Sequence, residues 1–185
     1  MPKTEREKML AGELYDPMDA ELVQARRKAR LLCKKLNDSN DDEEELRLEV
    51  LKELFGDIDG LWMQPPFYCD YGNNIKVGKK VFFNFNCVVL DVAEVTIGDE
   101  VMFAPNVQVY TATHPVDWKE RASGLELAKP ITIGSNVWIG GGVVVCPGVS
   151  IGDRTVIGAG SVVTKDIPAD VVAAGNPCKV IRSLK

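Results

Sequence analysis

Residues 131–165 read ITIGSNVWIGGGVVVCPGVSIGDRTVIGAGSVVTK, and this stretch decides the fold. An α-helix repeats about every 3.6 residues and a flat strand about every 2, so neither produces the spacing of its aliphatic residues. One short strand with one turn takes about 6 residues, and three such units close a triangular coil of about 18. The stretch therefore predicts stacked coils with the aliphatic side chains pointing inward. The aliphatic residues recur at every sixth position, and glycine follows four of them: Ile133, Ile139, Val145, Ile151, Ile157 and Val163.

The same period extends towards the N-terminus. From Val109 to Ile133 the separation is 24 residues, again a multiple of six, although residues 111–130 lack the pattern. These residues are therefore predicted to leave the coil as a loop. Strands of an ordinary sandwich would not keep one phase over so many units. Further inward positions are predicted, with two extra residues between the third and the fourth, at Val77, Phe83, Val89, Ile97, Phe103 and Val109.

A change of character near residue 57 divides the chain into two predicted parts. Residues 1–57 have dense charges and helical periodicity, whereas residues 58–185 carry the repeat and the loop at 111–130. Asp19 is the expected N-cap of a first helix, and Gly56 is the expected end of a second. The basic residues between 26 and 30 are expected to form a solvated helix face. The apolar face of the first helix is predicted at Leu22, Ala25, Ala29, Leu32 and Leu36.

The composition excludes several classes of function. The chain has 185 residues, 22 Lys and Arg against 27 Asp and Glu, and a net charge of −5, a poor balance for nucleic-acid binding. No apolar run approaches the roughly 20 residues of a membrane helix, and no secretion signal is evident. Five cysteines without CxxC spacing are expected to be reduced thiols in the cytoplasm. With one histidine and no cysteine cluster, no metal site is expected.

Six strings of sequence, taken in order, are more specific than any single hexapeptide: AGELY at 11–15, CDYG at 69–72, NFN at 84–86, YTATHP at 110–115, NVWIGG at 136–141 and VTKDIP at 163–168. These strings resemble the maltose and galactoside O-acetyltransferases among the hexapeptide-repeat acyltransferases, and the maltose branch is the closer likeness. The resemblance covers nearly the whole chain, including the helical N-terminal segment.

The resemblance implies both a fold and an activity. The fold is an all-β repeat, a left-handed parallel β-helix, with a small N-terminal α-helical segment. The implied reaction moves an acetyl group from acetyl-CoA directly to a sugar hydroxyl, at the 6-hydroxyl of glucose, maltose or a related sugar. The family is trimeric, with sites between neighbouring subunits, so a homotrimer is implied. Neither a metal, a nucleic acid nor a membrane is an expected partner.

Two residues are candidates for catalysis. Acyl transfer to a hydroxyl needs a base for the hydroxyl proton and donors for the oxyanion of the tetrahedral intermediate. Histidine is the side-chain type that titrates near neutrality, and the resemblance implies that the single one, His114, is the base. Asn84 occupies a corner position where glycine is usual. It either tolerates an unusual backbone there or, as the resemblance implies, stabilises the transition state by hydrogen bonds.

The resemblance also implies an acceptor pocket built around carboxylates, which accept hydrogen bonds from sugar hydroxyls. Asp16 and Asp70 fall in this pocket, and a turn cap is an equal alternative for Asp16. Phe82 stands where the galactoside branch has a Tyr. That branch has an Asp one position beyond Asp91, so Asp91 is the candidate to replace it. Glu126 replaces an apolar residue in the loop, and these departures leave the identity of the acceptor open.

Acetyl-CoA is implied to lie along the outside of the coils. Gly141 and Ala159 would let the pantetheine approach the backbone closely. Lys179 and Arg182 would attract the nucleotide phosphates, because three residues apart they could share one face of a short segment; the alternative is two solvated basic residues. Trp138 either flanks the thioester or covers the face of the coil. The complete implied set is Trp138, Gly141, Ala159, Thr164, Lys165, Lys179 and Arg182.

Two other functions stay open on the sequence alone. An acetyltransferase of the same fold acting on another small hydroxyl acceptor, an antibiotic or serine, would use the same base. A non-catalytic β-helix used for assembly could lose His114 and Asn84 freely. Cys87 and Cys146 hold repeat positions and are interpreted as small packing residues, since a nucleophilic cysteine would need a base nearby.

Overall fold

The computed structural model describes residues 2–185. Asp19 caps the second helix as predicted, because its carboxylate accepts the backbone N–H groups of Glu21 and Leu22. Gly56 ends the third helix at φ 79°. The first helix has no counterpart among the predicted ones, and a capping box at Thr4 begins it. The helices are α1 (Glu5–Leu10), α2 (Ala20–Asn37), α3 (Glu44–Phe55) and, far along the chain, α4 (Trp118–Arg121).

Short strands make up most of the chain after α3. In chain order they are β1 (Trp62–Met63), β2 (Phe67–Cys69), β3 (Ile75–Val77), β4 (Phe82–Phe83), β5 (Cys87–Leu90), β6 (Val95–Ile97), β7 (Met102–Phe103), β8 (Gln108–Tyr110), β9 (Ala112–Thr113), β10 (Leu127–Ala128), β11 (Ile131–Ile133), β12 (Trp138–Ile139), β13 (Val144–Val145), β14 (Ser150–Ile151), β15 (Val156–Ile157), β16 (Val162–Val163), β17 (Val171–Ala174) and β18 (Lys179–Ser183).

These strands stack into the three faces of a triangular prism. The first face has the order β1-β4-β7-β12-β15-β17-β18, the second β2-β5-β8-β13-β16 and the third β3-β6-β11-β14. Neighbouring strands are parallel within the faces, except that β18 runs antiparallel to β17. The fold is the left-handed parallel β-helix that the resemblance implied.

Three edges join the faces, and the chemistry of the molecule is distributed along them. The first edge joins the first and second faces, the second edge joins the second and third, and the third edge joins the third and first. The first edge includes residues 84–86, 104–106, 140–143 and 158–161; the second includes 70–74, 91–94, 146–149 and 164–166; the third includes 78–81, 98–101, 134–137 and 152–155.

The core confirms the period-six prediction. All six aliphatic residues predicted inward between 133 and 163 are at most 2% exposed. Full burial of one such side chain stabilises the fold by roughly 1.5–3 kcal/mol, so the column accounts for much of the stability. A column of aromatic rings continues the core towards the helices. Phe83 stacks on Phe103 at 4.2 Å between centroids, and Phe67 joins Phe83 to Phe55 of α3 through edge contacts.

Glycine follows the inward aliphatic residues because the next coil passes very close to them. A Cβ added at Gly134 would lie 2.3 Å from Oδ1 of Asp153 and 2.7 Å from its backbone nitrogen. A left-handed backbone is not the reason, because it occurs two residues later, as at Asn136 (φ 58°) and Arg154 (φ 55°). Stacking of coils, rather than conformational freedom, therefore requires glycine at this position.

Gly134→Ala is expected to destabilise the fold by about 1–3 kcal/mol, because the added methyl group overlaps the backbone of the next coil. Gly142→Ala is the comparison, since a Cβ there meets no atom within 4 Å and only its φ of 68° is unfavourable. That comparison is expected to cost about 1 kcal/mol. Urea unfolding of the two variants measures the difference, and equal losses would contradict the close-approach explanation.

Residues 111–130 leave the coil at the second edge. Strands β9 and β10 pair as an antiparallel ribbon, with Thr113 opposite Leu127. Helix α4 forms the turn of this excursion and is capped by Asp117. The chain then re-enters the prism at β11, so the excursion adds a projection to the second edge without disturbing the stack.

Helix α1 and the start of α2 pack against the same edge, whereas the buried residues of α3 join the main core. Met9, Tyr15 and Leu22 form a small second core with Tyr71 and Val92 of the prism. This core joins the N-terminal segment, the second edge and the base of the ribbon into one cluster. Among residues 2–185, no helix is long and apolar enough to cross a membrane.

Candidate active site

His114 lies directly after β9, at the outer end of the ribbon, and its side chain is exposed. The backbone beside it is fixed from two directions. Pro115 is buried, and the Arg121 guanidinium donates to the carbonyls of Pro115 and Val116, both at 3.0 Å. The imidazole is therefore presented to solvent from an ordered backbone.

The outer end of the ribbon is tied to the N-terminal segment through Tyr15 and Glu126, since Glu126 directly precedes Leu127, the partner of Thr113. Their backbones exchange two hydrogen bonds of 3.1–3.2 Å, and the Tyr15 hydroxyl donates to Oε2 of Glu126 at 2.6 Å. Tyr15 is 1% exposed, and its burial together with the Glu126 carboxylate raises its pKa, so the hydroxyl stays a donor. Glu126 was predicted in the acceptor pocket. One of its two carboxylate oxygens is already hydrogen-bonded to Tyr15, so only the other remains for an acceptor.

Asp70 lies on the second edge below the ribbon and is half-buried. Burial raises the pKa of its carboxyl, Arg30 and Arg26 oppose this rise, and Glu126 adds to it. Asp70 lines a cavity of about 550 Å³ between α2 and the second face, which Tyr68 also lines. This carboxylate thus faces open space large enough for a small ligand, within reach of two guanidinium groups.

Two predicted acceptor residues, Asp91 and Asp16, are placed differently from a residue that contacts a sugar directly. Asp91 is 0% exposed, and burial raises its pKa to about 7. A sugar cannot touch this side chain, so the prediction that it replaces the acceptor-contacting Asp is wrong for a direct contact. Asp16 is exposed, and its Oδ1 accepts the N–H of Met18 at 2.8 Å, which is the turn-cap role weighed as the alternative.

Asn84 lies on a different edge, the first. Its backbone N–H donates to the carbonyl of Phe103, and its Oδ1 accepts the N–H of Phe85 at 2.8 Å. The left-handed residue at this corner is Asn86 (φ 61°), so an unusual backbone does not explain Asn84. With its carbonyl oxygen held by the chain, the half-buried side chain has its NH₂ group left to donate.

The outward residues of the first face form an apolar row leading to the same edge. Trp138 is 51% exposed and pairs with Met102 of the previous coil, which in turn pairs with Phe82. Gly141 and Ala159 follow on the first edge, in successive coils. A Cβ at Gly141 would lie 3.3 Å from the carbonyl oxygen of Pro105, so the surface there is backbone.

Lys179 and Arg182 lie on β18, a strand and not a helix, so the helical spacing argument for them is wrong. In a regular strand, residues three apart face opposite sides. A register shift in the β17–β18 pair restores the common side, because Lys179 pairs with Ala174 and Arg182 with Val172. Ala174 and Val172 are half-buried and lie on the outward side of β17. Lys179 and Arg182 therefore both lie on the outward side of β18, where they are exposed. Thr164 and Lys165 are exposed on the second edge.

The predicted site residues therefore fall into two groups. His114, Asp70 and Glu126 belong to the second edge, whereas Asn84, Gly141 and Ala159 belong to the first. The whole of β5 separates the two edges, a distance on the order of 15–20 Å at about 3.3 Å per residue. One chain thus carries His114 and Asn84, the predicted base and the predicted oxyanion donor, at separate places.

Three residues near the site escaped the sequence analysis. Tyr15 and Tyr71 line the second core, and Arg26 donates to the Tyr71 hydroxyl at 2.7 Å and to the carbonyl of Pro17. Arg26 is half-buried and so departs from the solvated helix face expected for it. The partners are up to 111 residues apart, as for Tyr15 and Glu126, and no local pattern indicates such pairs.

Cys87 and Cys146, the two cysteines at repeat positions, are not activated as nucleophiles. Cys87 is 1% exposed, and burial raises its pKa to about 11, which disfavours the thiolate. Cys146 is half-buried, and burial raises its pKa as well. Within residues 2–185, no group of three or more histidine, cysteine or acidic side chains is arranged to hold a metal ion.

Two family descriptions match separate parts of the chain. Residues 8–60 match the maltose acetyltransferase hexapeptide capping motif, and residues 130–165 match the bacterial transferase hexapeptide of six repeats. Together with the prism and its histidine-bearing ribbon, these matches define a hexapeptide-repeat transferase.

Full-length relatives narrow the class. The galactoside O-acetyltransferase of Escherichia coli K12 is 48% identical, with 100% of this chain and 90% of the relative covered. A maltose O-acetyltransferase from Clostridium difficile 630 superposes with a TM-score of 0.97 at 50% identity, covering 99% and 98% of the chains. A galactoside acetyltransferase in complex with coenzyme A gives 0.96 at 45% identity, covering 100% and 92%. The chain belongs to the maltose and galactoside O-acetyltransferase family.

Proposed function

We propose that the protein transfers the acetyl group of acetyl-CoA to a sugar, with glucose, maltose or a related sugar as acceptor and the 6-hydroxyl as its target. The observation that carries this proposal is the placement of the single histidine. His114 is exposed on the ribbon that projects from the second edge, the edge that also carries the half-buried carboxylate of Asp70. Relatives named for maltose and galactosides, one of them bound to coenzyme A, support the donor and the acceptor class.

The proposed reaction is a direct transfer with His114 as general base. The neutral imidazole takes the proton of the sugar hydroxyl as its oxygen attacks the thioester carbonyl carbon. The tetrahedral intermediate then collapses, the C–S bond breaks, and the imidazolium returns the proton to the CoA sulfur. Neither a covalent acyl-enzyme nor a metal takes part in this scheme.

Asn84 has the proposed role of oxyanion donor. Its Oδ1 accepts the backbone N–H of Phe85, which fixes the side-chain amide and leaves the NH₂ group to donate. A donor fixed before the reaction stabilises the developing negative charge without reorganisation. Asp70 is the proposed partner of acceptor hydroxyls, with the second oxygen of Glu126 at the margin of the pocket. Phe82, on the outward side of the first face, would reach this pocket from a neighbouring chain.

The acetyl donor is proposed to lie along the first edge and the outer first face. Gly141 and Ala159 provide a surface of exposed backbone for the pantetheine, and Trp138 lies one step before them. Lys179 and Arg182 share the outer side of β18 and would pair with the nucleotide phosphates. Thr164 and Lys165, on the second edge, would contact the donor held by a neighbouring chain.

A homotrimer is part of the proposal, because it would bring the two edges together. Outward residues of the third face are all polar: Lys76, Thr96, Thr132 and Ser150. The first and second faces instead present apolar outward residues, which suits faces covered by neighbouring chains. These residues are Trp62, Phe82, Met102, Trp138, Val156 and Val172 on the first face, and Tyr68, Val88, Val144 and Val162 on the second, where Gln108 is the one polar member of the row.

The proposed compartment is the cytoplasm. All five cysteines are free, which suits a reducing environment. Cys33 and Cys69 remain thiols although their sulfur atoms are 3.6 Å apart.

Release of CoA, followed with a thiol reagent, tests the proposal. The acceptors are glucose, maltose, a galactoside, serine and chloramphenicol, each at saturating acetyl-CoA. Release with glucose or maltose is the expected result. Release with serine or chloramphenicol alone would keep the chemistry and overturn the acceptor. Acetyl-CoA that binds the folded protein at about 100-fold its Kd should raise the free energy of unfolding by about 2.7 kcal/mol, which a thermal shift detects. No release of CoA with any acceptor, together with no such shift, would favour a non-catalytic assembly protein.

A further inference from the structure

The most deeply buried carboxylate under the candidate site is that of Asp91. Its Oδ1 accepts two backbone N–H groups, from Asp70 at 3.0 Å and from Tyr71 at 2.9 Å. Its Oδ2 is buried and has no hydrogen-bond partner within the described residues. An ionisable group with one unpartnered oxygen is unfavourable in a core, so its retention needs a reason.

Carboxylates that brace the preceding coil recur elsewhere in the prism, and they show what is unusual here. Asp99, Asp153 and Asp166 are exposed, so water can satisfy their second oxygen, and each accepts a single backbone N–H. Asp91 accepts two and is shut off from solvent. The N–H groups held by the exposed carboxylates are those of Lys79, Ser135 and Ser150, at 2.7–2.8 Å.

The residues whose backbone Asp91 holds also differ from those held by the exposed carboxylates. Asp70 lines the cavity of about 550 Å³ beside α2, and the hydroxyl of Tyr71 accepts a hydrogen bond from Arg26. A shift of this short backbone segment would re-aim the Asp70 carboxylate and break the Tyr71–Arg26 contact. The exposed braces hold residues far from the cavity.

We propose that Asp91 is a positioning residue for the acceptor: its carboxylate fixes the backbone at Asp70 and Tyr71 so that Asp70 faces the bound sugar. This inference rests on the proposed function and deepens it. It gives Asp91 an indirect role and explains why an acceptor oxygen stands where neither water nor a sugar can reach it. The same geometry predicts that a neutral side chain with the same acceptor oxygen retains the role.

The test compares variants of the full-length protein by their separate KM values. Asp91→Ala removes the brace, Asp91→Asn keeps the Oδ1 acceptor, and Asp99→Ala removes an exposed brace as the matched control. Asp91→Ala is expected to raise the acceptor KM by about 10–100-fold while the acetyl-CoA KM stays within about 2-fold. Asp91→Asn is expected to keep an acceptor KM close to that of the wild type, and Asp99→Ala is expected to change neither KM.

A double variant separates positioning from general structural damage. If Asp91 acts through Asp70, adding Asp91→Ala to Asp70→Asn should raise the acceptor KM by less than about 3-fold beyond Asp70→Asn alone. Additive effects, equal rises of both KM values, or no change in Asp91→Ala would overturn the inference. If Asp91→Ala does not fold, the acceptor KM of Asp91→Asn decides the inference. A rise of about 10-fold or more over the wild type would overturn the inference, and an acceptor KM within about 3-fold of the wild type would support it. Wild-type release of CoA with a sugar tests the proposed function separately, and its absence overturns both.

Discussion

Replacing His114 with alanine is expected to lower turnover by about 10²–10⁴-fold, the usual contribution of a general base. The loss should appear in kcat, because a general base acts in the transition state. The loop should stay folded, since the His114 side chain is exposed and Arg121, not the imidazole, holds the backbone beside it. The ribbon and the outer first face should keep their structure. Acetyl-CoA binding is therefore expected to stay close to that of the wild type.

Steady-state kinetics and a thermal shift with acetyl-CoA measure the two halves of this prediction. Val116→Ala is a suitable control, because Val116 is 94% exposed in the same loop. That control should leave turnover within about 2-fold, as expected for an exposed substitution away from functional features. Near-normal turnover of His114→Ala at saturating acceptor would exclude His114 as the base. A lost acetyl-CoA shift would instead indicate a role in donor binding.

The fold could be predicted from the sequence because period six leaves little choice. An inward residue at every sixth position fixes the phase of each strand, and the burial of Ile133, Ile139 and Val163 confirms that phase. The reason for glycine at the corners could not be predicted in the same way. It depends on how closely successive coils approach, as at Gly134 and Asp153, and this distance is a property of the stack.

The site was harder to predict, because its residues meet through the fold and not through the sequence. Burial separates Asp91 from Asp70, although both are acids near corners of the second edge. The register shift in β18 puts Lys179 and Arg182 on one side by a route that helical spacing did not suggest. In both cases the residue types were informative, whereas their exposure and orientation required the structure.

Asn84→Ala is expected to lower kcat by about 10²–10³-fold, the usual loss for one oxyanion donor. Asn84→Asp is the sharper variant, because it keeps the acceptor for the Phe85 N–H but replaces the donor with a negative charge. Its loss should be at least as large as that of alanine. Asn86→Gly is the matched control at the same corner: glycine accepts the φ of 61°, so turnover should be nearly unchanged. A kcat within 3-fold of the wild type in Asn84→Asp would contradict the proposed role.

Mixing two inactive variants tests whether the two groups of residues meet across chains. In a cyclic trimer, each site would combine His114 of one chain with Asn84 of its neighbour. Co-expressed in equal amounts, His114→Ala and Asn84→Ala chains would place an intact His114 beside an intact Asn84 in about a quarter of the sites. The mixture is therefore expected to recover about a quarter of wild-type turnover, far above the roughly 1% or less of either variant alone. A site contained within one chain would recover nothing, because each chain lacks one of the two groups. Recovery of activity would thus locate the proposed catalytic centre between the second edge of one chain and the first edge of the next.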